Sequence, residues 1–269
     1  MQYPEPLKII SRKLTETIVV ACSGFKRFGK VNIGARMAIF NYYGSIVVWS
    51  AIPHNDEVVE ALKLANGGSD DYKVSHLIIP DKEHTIAAKS FKEKYPELKI
   101  IAVEDVDLGE LTPIDYRVTS KYAHRILDAE ALQEIGITDP VILSYFEFVY
   151  LPKHTNKELV MYEKATKTVF EADLLFNLRD DTPMEQFPDT KYPFSGWSSV
   201  AKYLNPDSVI GSAIFRRIAD TNASAEGLWA IYSWDFDRLV MCHGNILETG
   251  GKSAFHKVFG SVLKEPAKV

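Results

Sequence analysis

Cysteine is scarce in this chain: two residues, Cys22 and Cys242, in a total of 269. Two thiols cannot staple a chain of this length, which excludes a disulfide scaffold. Both lie in apolar, strand-like runs, "TIVVACSGF" and "RLVMCHG", and read as reduced, buried thiols. An excess of positive charge is also missing. The 31 Lys and Arg stand against 36 Asp and Glu, for a net charge of −5. That balance leaves no electrostatic footprint for nucleic acid. The acidic residues are spread along the chain, so no acidic tail stands out either. No apolar run approaches the roughly 18 residues that a membrane span needs. The opening "MQYPEPLKII" lacks the charged-then-apolar order of a secretory leader. These absences lead us to expect a cytoplasmic protein, with the nucleus as the other compartment left open. Repeats, low-complexity tracts and a dividing linker are absent too, so a single domain over 1–269 is expected.

What is present fits an ordinary globular domain: 46% hydrophobic and 25% charged residues, enough to bury a core unaided. The first third alternates strands with helices. "ETIVVACSGF" and "RMAIFNYYGSIVVWSAI" read as strands, the second folding back at Tyr43-Gly44. "NDEVVEALKLA" reads as a helix capped by Asn55 or Asp56. "VSHLIIP" and "LKIIAVE" read as strands, with a helix over "EHTIAAKSFKEKYP" between them. This order implies a layered α/β fold. Further on, "VILSYFEFVYLP", "KELVMYEK" and "KTVFEADLLF" read as three strands with short connections, and so as an antiparallel section. Residues 179–198 read as a loop, and "SSVAKYL" and residues 208–234 as helical. "DRLVMCHG" returns as a strand before a closing helix, "GKSAFHKVFGSVL".

Four of these strands end in a polar residue able to hold a metal. Asp81, Glu83 and His84 follow "HLIIP", His154 follows "FVYLPK", Asp173 follows "TVFEA" and His243 follows "RLVMC". Loops at one edge of a rigid scaffold are where sites form. Imidazole and carboxylate suit zinc, iron or manganese. Each residue also has a plainer reading. The acidic pair could cap a helix, and His154, Asp173 and His243 could simply close strands or turns. His54, His76, His124 and His256 lack such placement.

The order of these segments resembles the metallo-β-lactamase fold. In that family a strand ends in a Thr-His-x-His-x-Asp-His block. A Gly-His-Thr before a hairpin follows, then a strand ending in Asp, and late in the chain a His-Gly. Here "KHT" at 153–155, "ADLLF" at 172–176 and "HG" at 243–244 hold the corresponding places. The His-rich block is the departure. This chain reads "PDKEHTIAAKSF", so Asp81 and Glu83 replace its first two histidines, and Thr85 and Ile86 its Asp and last His. His84 is out of register. The pattern is similar to a degenerate-motif branch of the superfamily, a domain of unknown function with fungal-type members. The stretches carrying that likeness are "GARMAIFNYYGSIVVWSAIP", "DKEH", "KHTNKEL", "EADLLFNL" and "CHG". Asn245 stands where many members carry Asp.

The resemblance implies a four-layer αββα sandwich of metallo-β-lactamase type, with a helical insertion near 196–234. It also implies a hydrolase-like protein with a reduced metal site, acting on an ester, lactone or thioester of a small molecule. One zinc or iron ion would be held by His84, His154, Asp173 and His243, with Glu83 or Asp81 as general base. The alternative is a metal-free pseudoenzyme serving as a small-molecule or protein-binding module, in which Lys153 would pair with Asp173. A homo-oligomer is compatible with either.

Overall fold

The computed structural model describes residues 2–265. The chain runs through β1 (Ile10–Lys13), β2 (Ile18–Ser23), a short ribbon of β3 (Lys26–Arg27) and β4 (Val31–Asn32), then β5 (Ala35–Tyr42) and β6 (Ser45–Trp49). Next come α1 (Asp56–Ala65), β7 (Lys73–Ile79), α2 (Ala88–Lys94), β8 (Lys99–Val103) and β9 (Tyr116–Val118). These strands form a seven-stranded sheet in the order β1-β2-β5-β6-β7-β8-β9. Tyr43 and Gly44 both have positive φ, 56° and 80°. Two such residues make the turn whose twist matches a hairpin, and β5 and β6 pair antiparallel across it. β6 to β9 are parallel. Parallel neighbours need crossovers, which α1 and α2 supply for the first two pairs. Helix α1 starts where Asn55 accepts the Val58 N–H at 2.9 Å.

The second sheet has five strands: β10 (Ile126–Leu127), β11 (Phe146–Leu151), β12 (Glu158–Glu163), β13 (Thr168–Glu171) and β14 (Arg238–Met241). Helices α3 (Ala129–Glu134) and α4 (Pro140–Tyr145) precede β11. The sheets face each other across an aromatic core. Phe40 of β5 meets Phe146 and Phe170 edge-on, at 5.1 and 4.9 Å between centroids, and Trp49 of β6 meets Phe170 at 5.7 Å. Helices α5 (Val209–Ile218), α6 (Ala225–Ser233) and α7 (Gly251–Phe259) pack on the far side of the second sheet. There Phe215, Leu228, Ile231 and Phe255 share a core with Val149, Val160 and Leu239. The segment near 196–234 thus contributes to this outer layer, with a 3-10 helix at Gly196–Tyr203 leading into it. Among the described residues no helix is long and apolar enough to cross a membrane.

Two elements differ from expectation, each for a local reason. The first half of "VILSYFEFVYLP" is helix α4, because Pro140 opens it and Asp139 accepts the Val141 and Ile142 N–H groups at 2.9 and 3.1 Å. Helix α2 begins at Ala88 and not near Glu83. Residues 81–87 form turns, and those turns help to build the site.

Candidate metal centre

Strands β13 and β14 run parallel in register, Glu171 opposite Met241. Two residues beyond that pair stand Asp173 and His243, so both leave the sheet at the same edge. The Leu159 N–H donates to the Pro80 carbonyl at 2.7 Å, and the Lys82 N–H to that of Asn156 at 3.1 Å. These bonds tie the end of β7 to the start of β12 and bring residues 81–84 to that edge. His84, Asp173 and His243 converge there, one ligand atom from each lying within 4.8 Å of the others.

Each member is aimed by a second group. The fully buried Asp81 Oδ1 accepts the Glu83 N–H at 2.7 Å, the His84 N–H at 2.9 Å and the His84 ring at Nδ1, also 2.9 Å. With Nδ1 donating to Asp81, Nε2 is the ring nitrogen that would face a ligand, and a metal there would displace its proton. Burial alone would lower the His84 pKa, but the Asp81 charge outweighs it and the imidazole is raised well above its ordinary value. His243 donates from Nδ1 to the Gly34 carbonyl at 2.7 Å, which turns its Nε2 toward Asp173 Oδ1 at 3.2 Å. Gly34 can come so close because it has φ +73° and no side chain; a Cβ there would fall 2.2 Å from Gln186 Oε1. Gly244, at φ +101°, packs equally tightly on the Asn177 backbone.

Asp173 is anchored by its other oxygen, Oδ2, which accepts from Asn156 Nδ2 at 2.5 Å. Its turn is held from both sides by buried carboxylates. Glu158 accepts the Ala172 and Asp173 N–H groups at 2.6 and 3.2 Å, and Glu171 those of Leu174 and Leu175 at 2.8 and 3.1 Å. Burial raises the pKa of both glutamates well above the usual range, and the Asp173 charge adds to it. Burial pushes Asp173 the same way, but the imidazoles of His243, His84 and His154 outweigh it and hold its carboxyl below the ordinary value. Asp173 Oδ1 is buried and has no hydrogen-bond partner. An orphaned carboxylate oxygen beside two imidazoles fits a divalent cation, which would displace their Nε2 protons, and two His with one carboxylate are a donor set for zinc or non-haem iron.

The trio opens on a cavity of about 30 Å³, lined also by Tyr3, Phe25, Arg27, Ile33 and Glu83. That space suits an ion with a water rather than a whole organic ligand. A neighbouring groove of about 250 Å³ shares Arg27, Ile33 and Asp173 with it and adds Phe28, Val31, Phe176, Leu204 and Ile218.

Compared with solved structures, the whole chain superposes on the DIM-1 metallo-β-lactamase exposed to ceftazidime. The TM-score is 0.59 over 97% of this chain and 98% of that one, at 13% identity. The fold is that of the metallo-β-lactamases. An enzyme of that fold from Pontibacter korlensis matches at TM-score 0.57 and 11% identity, covering 96% of this chain and 100% of its own. The FIM-1 metallo-β-lactamase from Pseudomonas aeruginosa, in its mono-zinc form, matches at 0.52 and 10% identity, over 94% of each chain. No protein-family model matches the sequence, and no curated protein does.

Within this metallo-β-lactamase fold the remaining expected residues separate from the trio. His154 is buried nearby but is not one of the three residues whose ligand atoms converge; its Nδ1 accepts the Asn156 N–H at 3.2 Å and its buried Nε2 has no hydrogen-bond partner. Burial lowers its pKa, which keeps it neutral. Asp81 does not line the cavity; it lies behind His84 and positions the ring. Glu83 does line the cavity, with Arg27 3.7 Å away. Lys153 is exposed and lies near His124, so it does not serve Asp173 as a cation. Asn156, Glu158 and Glu171 escaped the sequence reading. For the glutamates the available signal was an acid at the end of an otherwise largely apolar strand, Glu158 opening "ELVMYE" and Glu171 closing "TVFE". Cys242 is buried as expected, beside Ser50 Oγ at 3.0 Å, and burial pushes its thiol up to about 11.

Proposed function

We propose that the chain is a metal-dependent hydrolase with a reduced, single-ion centre held by His84, Asp173 and His243. The observation that carries this reading is the convergence of three ligand atoms within 4.8 Å, each oriented by its own buried partner. A bound zinc or iron ion supplies polarisation of a carbonyl and acidification of water. The chain's residues do the rest. Asp81 and the Gly34 carbonyl fix the two imidazoles in the tautomer that presents Nε2. Asn156 holds one oxygen of Asp173 and leaves the other turned inward. Glu83, on the cavity wall, takes the proton from the attacking water, and Arg27 beside it pairs with the carboxylate.

The apolar groove next to Asp173 supports a small, largely apolar acyl compound as substrate: an ester, lactone or thioester whose carbonyl reaches the centre. The test is a panel of chromogenic esters, thioesters and lactones on metal-loaded protein and on Glu83→Gln. General-base loss predicts a fall in kcat of about 10²–10⁴-fold with little change in KM. Equal rates for the two proteins would remove Glu83 from the mechanism. No turnover of any panel member by folded, metal-loaded protein would remove the hydrolase.

A further inference from the structure

The N-terminal segment reaches into the site. Gln2 pairs antiparallel with Lys26, its N–H donating at 3.1 Å and its carbonyl accepting at 2.9 Å. That pairing sets the Tyr3 ring edge-on against Phe25, with centroids 4.8 Å apart. Both rings line the cavity beside His84, Asp173 and His243. Both also line a separate cleft of about 500 Å³, together with Pro4, Lys26, Asn32 and Phe187. The pair is therefore a partition, with the candidate centre on one side and an open cleft large enough for a small organic molecule on the other.

The two halves of the partition are held differently. Phe25 is part of the buried core, and its carbonyl accepts the Ile33 and Gly34 N–H groups at 3.0 and 3.2 Å. Tyr3 is less buried and is placed, among the described residues, by the bridge at Gln2. Removing the Tyr3 ring would join cleft and cavity while leaving every candidate ligand and its hydrogen-bond partner in place.

We propose that Tyr3 is a specificity-determining residue: its ring closes the cleft side of the centre and leaves the groove lined by Phe28, Phe176 and Ile218 as the approach for substrate. This rests on the metal-centre reading above. The test uses cobalt(II)-loaded wild type, Tyr3→Ala and Tyr3→Phe, titrated with azide and with phenylmethanethiol while the visible cobalt bands are followed. Azide is expected to perturb all three alike. The bulkier thiol is expected to bind Tyr3→Ala about tenfold more tightly than wild type, with Tyr3→Phe behaving as wild type because it keeps the ring. Equal thiol affinity in all three, with cobalt bands intact, overturns the role of Tyr3 and leaves the centre standing. Cobalt bands lost in Tyr3→Ala alone would make Tyr3 a support for the ligands and also overturn it. Bands absent from all three proteins would remove the centre, and this proposal with it.

Discussion

Asp81→Asn separates positioning from folding at the candidate centre. The carboxylate receives three hydrogen bonds at Oδ1, at 2.7, 2.9 and 2.9 Å, while Oδ2 is buried without a partner. Asparagine keeps an oxygen for the three donors but loses the charge, roughly halving the strength of each bond. It also removes a buried charge and its desolvation cost, which offsets that loss. The net change in stability should stay within about 1 kcal/mol. Metal affinity should respond more, because removing the charge behind a ligating imidazole costs about 10–100-fold, or roughly 1.4–2.7 kcal/mol. Asp81→Ala is the contrast. It strands two backbone N–H groups at about 1–3 kcal/mol each, less the relief of deleting an orphaned oxygen, so stability falls by about 1–4 kcal/mol. Competition with a chromophoric chelator reads the affinity, and urea unfolding followed by tryptophan fluorescence reads the stability. Wild-type metal affinity in Asp81→Asn would refute the role assigned to Asp81. A stability loss in Asp81→Asn as large as that in Asp81→Ala would refute the reasoning on charge.

Away from the centre, His76 is buried, bonded to Ser75 Oγ at 3.1 Å and unpartnered at Nε2, and burial holds its pKa below the ordinary value. The unfolded chain then takes up its proton first. Its contribution to stability is present above about pH 6.5 and is lost as the pH falls toward the folded-state pKa, by at most about 1.4 kcal/mol per pH unit. His76→Gln should flatten that slope in urea titrations, and an unchanged slope would contradict the assignment. Phe170 is wedged between Phe40 and Trp49, so Phe170→Ala should cost about 3–5 kcal/mol with an unchanged m-value. A loss below about 1 kcal/mol would mean that the two sheets are not locked through this ring.

Much of the frame was legible because local rules and the fold agree. The β5–β6 hairpin follows from apolar, β-branched runs around a Tyr-Gly turn, and α1 from Asn55 and its apolar spacing. Asp173 and His243 were legible as strand-end residues, since parallel pairing of their strands puts them side by side. Other parts depended on which of two local rules prevailed. Asp139-Pro140 is a helix-start signal that the β-branched residues after it obscured. The acidic "PDKEH" stretch looked like a helix cap, yet Asp81 caps a turn and turns His84 inward, so register along the chain did not reveal its place in space. Proton placement on His154 depends on one backbone N–H, that of Asn156. Tyr3 arrives through the bridge at Gln2 to a ribbon more than twenty residues away, a pairing no local pattern encodes.

The central claim is that His84, Asp173 and His243 form the metal centre while His154 stands outside it. Elemental mass spectrometry on untagged, metal-loaded and folded protein tests it most directly, applied to wild type, Asp173→Ala, His243→Gln and His154→Gln. The account predicts a stoichiometric zinc or iron ion in wild type and in His154→Gln, and its loss in the other two. Wild type without metal would contradict the account, as would a His154→Gln protein emptied as fully as Asp173→Ala.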